Sequence, residues 1–233
     1  GIPQAGTYTV MTYSGALSGS LNPVVGGTHY AANVDTNIPG QVNLVITGTV
    51  GADLKWKSTG SAAWDNAAAN WLNLGSSLAD NFFSGDTVLF DDSVVGVVTN
   101  VVIPAGTTMY PASVTNKSSA NNYTFSGGSI GGAATLVKDG TGTLTLSNAN
   151  AFTGAADVLA GTVVAGSTTA FGTGAGTTTI HSNATLEVNG IQLTSEPFVI
   201  SGPGVGGKGA ISYSGQHLIA TLRVVTLAGD TTF

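Results

Sequence analysis

A glycine followed by alternating threonine and aliphatic residues recurs along this chain at a nearly constant interval. Gly142-Thr-Leu-Thr-Leu146 and Gly161-Thr-Val-Val-Ala165 are the clearest copies. Each phrase reads as a short strand with one apolar and one polar face, restarted after one turn of the chain. Placing Tyr123-Thr-Phe125 above Leu144-Thr-Leu146, Val163-Val-Ala165 and Leu186-Glu-Val188 gives one strand every 19 to 23 residues, and Val101-Val-Ile103 fits one interval earlier. A unit of that length cannot bury its apolar face alone, so stacking on its neighbours is obligatory. The expected fold is all-β: a right-handed parallel β-helix with few or no helices, its coils stacked about 4.8 Å apart. The 233 residues leave room for about ten coils, a rod of about 50 Å. The predicted inward positions are Tyr123, Phe125, Leu144, Leu146, Val163, Ala165, Leu186 and Val188, each stabilising by about 1.5–3 kcal/mol if fully buried.

Composition bears on the choice of strand over helix. Glycine accounts for 34 residues and charged residues for only 8%, a balance that suits strands and tight turns. The Ala-rich stretch 61–71 is interrupted by Asp and Asn and develops no apolar face of helical period, so it reads as a loop or cap. Hydrophobic residues make up 42% of the chain, and their period of two argues for a packed core over disorder. An antiparallel β-sandwich is the competing fold, because short strands separated by turns also satisfy it.

A net charge of −6 with only six basic residues excludes the phosphate neutralisation that nucleic-acid binding requires, and disfavours anionic membrane surfaces. No run approaches the ~18 apolar residues of a membrane helix, so no membrane insertion is expected. The chain opens at Gly1 within strand-like sequence and ends at Phe233 in the same way, which reads as a fragment or processed piece. The absence of cysteine removes disulfides and thiolate metal sites.

Three segments are expected: 1–50 as the end of a preceding β-helical unit, 51–135 as a Trp-containing unit opening with the first coils, and 136–233 as the repeat coils, all in one continuous solenoid. The stretch Leu136-Val-Lys-Asp-Gly-Thr-Gly-Thr-Leu-Thr-Leu-Ser-Asn-Ala-Asn-Ala-Phe-Thr-Gly154, followed by Ala160-Gly-Thr-Val-Val-Ala165, resembles the autotransporter-associated β-strand repeat of bacterial passenger domains. Trp64-Asp65 and Asn70-Trp71 with Gly85-Asp-Thr-Val-Leu-Phe-Asp-Asp92 look like a unit opening, and Ala5-Gly-Thr-Tyr-Thr-Val-Met-Thr-Tyr-Ser-Gly15 like a unit ending. The resemblance implies a non-catalytic structural segment of a long secreted or cell-surface bacterial protein, serving as stalk, fibre or adhesive surface. Its expected partners are copies of itself or adjacent units, stacked end to end through unpaired strand edges. No cofactor is expected.

Candidate chemistry is sparse. Asp86, Asp91 and Asp92, with Asp80 nearby, could offer oxygen ligands to calcium or, as in β-helical polysaccharide-cleaving enzymes, act as acid and base; their places beside strands and glycine read equally as turn hydrogen bonding. His29, His181 and His217 share no metal-ligand spacing. Arg223, the sole arginine, stands without a visible catalytic set. The glycine-rich 202–209 lacks phosphate-loop spacing and reads as turns. Trp56, Trp64 and Trp71 remain. Exposed, their rings would stack on surface glycans as in a carbohydrate-binding module; covered, they would cap or fill a coil.

Overall fold

The computed structural model describes residues 5–19, 29–49, 51–214 and 222–233, and the chain divides into two compact units, Gly1–Ala52 and Asp53–Phe233.

The first unit holds strands β1 (Gly6–Thr12), β2 (Tyr30–Asp35) and β3 (Gln41–Thr49), in the order β1-β3-β2. Both pairings are antiparallel. Pro39-Gly40 closes the turn into β3, where Gly40 has φ +79° and the Gln41 amide donates to Ile38 O at 3.1 Å. Val42 and Ile46, four residues apart on β3, share a buried face. The expectation of a β-helical end over 1–50 therefore meets a different local architecture, since these strands run antiparallel where coils of a solenoid run parallel.

The second unit is the solenoid. In chain order its strands are β4 (Asp53–Trp56), β5 (Trp71–Asn73), β6 (Ala79–Asp80), β7 (Thr87–Phe90), β8 (Asn100–Met109), β9 (Ser113–Asn116), β10 (Tyr123–Gly132), β11 (Thr135–Lys138), β12 (Thr143–Leu146), β13 (Ala151–Phe152), β14 (Ala156–Ala165), β15 (Thr178–Val188), β16 (Leu193–Gly202), β17 (Ile211–Tyr213) and β18 (Leu222–Thr231). A single 3-10 turn at Val205–Gly207 completes the described secondary structure. Apart from the β4-β5-β6 excursion, every pairing here is parallel. That excludes the antiparallel sandwich.

Three faces wind around one core. The first runs through β4, β7, β9 and β11, then the starts of β14 and β15, the end of β16, and β18. The second runs through the starts of β8 and β10, then β12, the ends of β14 and β15, and β17. The third includes the ends of β8 and β10, and β13. On the first face 114, 136, 156 and 178 are successive partners, so the middle coils repeat every 20 or 22 residues, close to the spacing legible in the sequence.

Six regular turns separate Thr87 from the rung of β18, fewer than the ten that length alone allows. Residues 1–52 form a separate unit, the excursion between β4 and β7 takes up 57–86, and the coils entered at β7 and left at β16 exceed the mean period. Eight rungs on the first face span about 34 Å at the usual strand spacing.

On the second face, Tyr123, Leu144, Val163, Leu186 and Ile211 stack in one inward column, and Phe125, Leu146, Ala165, Val188 and Tyr213 in the next. All eight residues assigned inward from sequence are at most 2% exposed. One rung differs from the sequence alignment: Val101 pairs with Phe125 instead of Tyr123. Because side chains alternate with period two, that two-residue offset leaves Val101 and Ile103 inward and fully buried.

Corners are made by glycine. Gly161 has φ +73°, and a Cβ there would lie 2.5 Å from the carbonyl oxygens of Gly140 and Gly142 in the preceding coil. At the far end, β18 pairs with β16, and no described strand covers its other edge. Val225 and Leu227 continue the inward columns of Phe198 and Ile200, yet they are 37% and 57% exposed where those residues are fully buried.

Candidate functional site

The three tryptophans lie inside the first coils. Trp56, Trp64 and Trp71 are all 0% exposed. Trp71 packs edge-on against Trp56 at 5.0 Å and Trp64 at 5.4 Å between ring centroids, and Phe82, Phe90 and Phe125 close the cluster. Edge-to-face contacts of this kind add about 0.5–1.5 kcal/mol each beyond burial. Trp56 Nε1 donates to Val98 O at 2.8 Å. Rings without an exposed face cannot stack on sugars, so of the two readings of these tryptophans the structure has the covered one, an aromatic core. Its cause is the β4-β5-β6 excursion, which pairs Trp56 with Trp71 across two antiparallel strands.

The aspartates act separately. Asp86 is fully buried and accepts the Phe83 amide at 2.7 Å. Asp91 accepts the Ser93 amide and hydroxyl. Asp92 gathers the backbone amides of Ser119, Ala120 and Asn121, the Asn121 side-chain amide and the Ser118 hydroxyl, one coil later. Burial raises its pKa, but these hydrogen bonds outweigh that and hold the carboxyl well below the usual range. Tyr123, whose hydroxyl donates to Asp91 O, has its pKa raised by burial first and then by the charges of Asp91 and Asp92. Among the described residues no three His, Cys, Asp or Glu side chains gather as a metal site would need.

The other candidates are dispersed. His29 is buried in the first unit, while His181 lies half-exposed in the second, 3.6 Å from Asp157. His217 and the Arg223 side chain lie outside the described residues. The glycine-rich 202–209 folds as turns, with the Gly209 amide donating to Pro203 O.

Polar groups that sequence reasoning missed face inward. Lys138 is 0% exposed, and its ammonium donates to Gly140 O at 2.6 Å and to Asp139 O and Ala160 O at 3.3 Å. Burial pulls its pKa down to about 8, against the raising influence of Asp139 and Asp92. Asn150 bridges three coils, accepting the Ile130 amide and donating to Ala170 O. Glu196 is 5% exposed and accepts the Thr178 hydroxyl at 2.5 Å; burial pushes its carboxyl up to about 7. The signal was in the alternation, which places Lys138 on the face of Leu136 and Glu196 on the face of Phe198.

One concavity lies on the outside of the first face. It measures about 310 Å³, with Leu74 of the β5–β6 hairpin as one wall and β4, β7 and β9 as floor. Asp53, Thr87, Leu89, Ser113, Thr115 and Lys117 line it. The Thr87 hydroxyl donates to Asp53 across the first two rungs.

Comparison with known proteins converges on the same coils. Residues 136–165 match the passenger-associated-transport-repeat family; they comprise β11 from Leu136, then β12, β13 and β14, one full circuit of the three faces and its return to the second. The chain is also similar to the adhesin BmaC autotransporter of Brucella suis biovar 1 (strain 1330), at 29% identity over 212 residues, 86% of this chain and 6% of that protein. It thus spans a small part of that relative's length. No solved structure matches it. Residues 136–165 thus carry the stacked coil of a passenger-associated-transport repeat, and most of the chain's length is similar to part of an autotransporter adhesin.

Proposed function

We propose that this segment is a non-catalytic structural element of a long secreted or surface-displayed bacterial passenger, a rigid stalk that carries adhesive surface away from the cell. The observation that supports it best is the eight-rung parallel first face, held in register from Asp53 to β18. Such a solenoid is quasi-one-dimensional: its length grows with coil number while its cross-section stays constant. The relative's description as an adhesin supports the adhesive part. Packed side chains fill the interior, and Asp86, Asp91 and Asp92 serve separate turns, which supports the non-catalytic part. The exposed apolar rung of β18 is covered, in this reading, by a further parallel coil in the same register, because Val225 and Leu227 otherwise leave core positions in water.

Duplicating one coil, residues 136–155, tests the stalk directly. The variant should fold with unchanged circular dichroism per residue and lengthen in small-angle scattering by about 5 Å. Failure to fold or no added length would refute it. For adhesion, bacteria displaying the segment should bind host cells above the level of bacteria displaying none, and equality would refute the adhesive role.

A further inference from the structure

We infer that the groove beside the β5–β6 hairpin is a binding site for an acidic saccharide, whose carboxylate meets the Lys117 ammonium while its hydroxyls meet Thr115, Ser113 and Asp53. The inference gives the adhesive reading above a ligand class and rests on it.

Charge makes the first argument. The chain has six basic residues against twelve acidic ones, so a cation at the end of a groove is a scarce group in this molecule. Lys117 is exposed, and among the described residues its ammonium makes no hydrogen bond or ion pair, unlike Lys138 inside the coil. A carboxylate there would gain a charge-assisted hydrogen bond without displacing an existing one.

The floor makes the second. Thr87, Ser113 and Thr115 stand on rungs spaced about 4.8 Å apart and held by parallel pairing of β4, β7 and β9. Their short side chains have few rotamers to lose, so hydroxyl donors and acceptors are presented on a rigid surface. Asp53 keeps acceptor capacity beyond its bond to Thr87. Leu74 and Leu89 add apolar surface between these polar groups, matching the C–H faces of a sugar ring.

Alternative ligands fit less well. A peptide adding as a strand needs an open sheet edge, and the backbone of this floor is already paired on both sides of β7. A nucleic acid or polyphosphate needs several cations where the lining supplies one. The volume, near the lower end for ligand sites, suits one or two sugar rings.

The experiment uses the full 233-residue chain and saturation-transfer NMR with three probes: hexuronic acid oligomers, sialyl-oligosaccharides, and their neutral counterparts. One acidic class should bind, and which one identifies the source of the carboxylate. Lys117→Ala should weaken it about tenfold, the loss of one charge-assisted contact, with an unchanged melting curve because Lys117 is exposed. Binding of neutral sugars as tight as the acidic ones, retention of affinity by Lys117→Ala, or no binding by any probe would each overturn the site. Adhesion by bacteria displaying Lys117→Ala separates the two readings: wild-type adhesion by a variant that has lost saccharide binding leaves the adhesive role standing without this ligand.

Discussion

Glu196 should make the stability of the last coils fall as pH rises through neutrality. Its carboxyl lies 5% exposed between coils, and its hydrogen bond from Thr178, itself 0% exposed, does not offset the burial that raises its pKa from 4.5 to about 7. The folded state therefore holds this proton more tightly than the unfolded chain. Below pH 4.5 both states are protonated and the slope is flat. Between 4.5 and 7 the folded state binds more protons, so stability declines with pH; above 7 the full penalty persists. At about 1.4 kcal/mol per pH unit the window amounts to roughly 3.5 kcal/mol at most. Glu196→Gln removes the charge and keeps an acceptor for the Thr178 hydroxyl. Urea titrations from pH 4 to 8, with hydrogen exchange read at β16 and β18, should show the wild type losing stability across that window and the variant flat and more stable above pH 7. The low pKa of Asp92 places its window below its ordinary value of 3.8, so the two do not overlap. Equal slopes in wild type and variant, or stability rising from pH 4.5 to 7, would refute the reasoning.

Other perturbations follow from the same packing. Leu144→Ala opens a cavity in the second-face column between Tyr123 and Val163 and should cost about 2–5 kcal/mol in urea unfolding. Gly161→Ala sets a Cβ 2.5 Å from two carbonyl oxygens at a positive φ; its urea midpoint should drop by the equivalent of more than about 1 kcal/mol. Lys138 works in the opposite sense to Glu196: its pKa falls from 10.5 to about 8, so the unfolded chain binds more protons between those values and stability rises with pH there. Lys138→Met should abolish that rise, measured by thermal melts from pH 7.5 to 10.5. Asp92→Ala strips the acceptor from three backbone amides of 119–121 and should speed their hydrogen exchange well above that of β12.

What was legible in the sequence is what repeats. Leu144, Val163 and Leu186 could be aligned because alternation marks their face, and before the first two Gly142 and Gly161 mark the corner. Burial of Trp56, Trp64 and Trp71 was one of the two readings the sequence allowed, but how they come together was hidden, because it depends on the β5–β6 hairpin folding back, an event with no repeat to announce it. The groove was hidden for a related reason. Asp53, Thr87 and Ser113 lie on three strands separated by whole coils, with Lys117 just past the third, and only stacking brings them together.

Alternation alone leaves the stack ambiguous, and the inward polar residues resolve it. A bore of Leu, Val and Ile is nearly indifferent to a slip of two residues, since the same face stays inside. The rung at Val101 shows the tolerance, sitting two residues from the alignment its sequence suggests while still burying Val101 and Ile103 completely. Lys138, Asn150 and Glu196 allow no such slip. The Lys138 ammonium must reach the carbonyl of Ala160, Asn150 must meet Ile130 below and Ala170 above, and Glu196 must meet Thr178. A slipped coil would leave each of these groups buried without its partner, costing about 1–3 kcal/mol for a neutral group and more for a charged one. These groups lie where the coils are most alike, between residues 130 and 196. Where the coils are least alike, aromatic shape at Trp56, Trp64 and Trp71 can enforce the order instead.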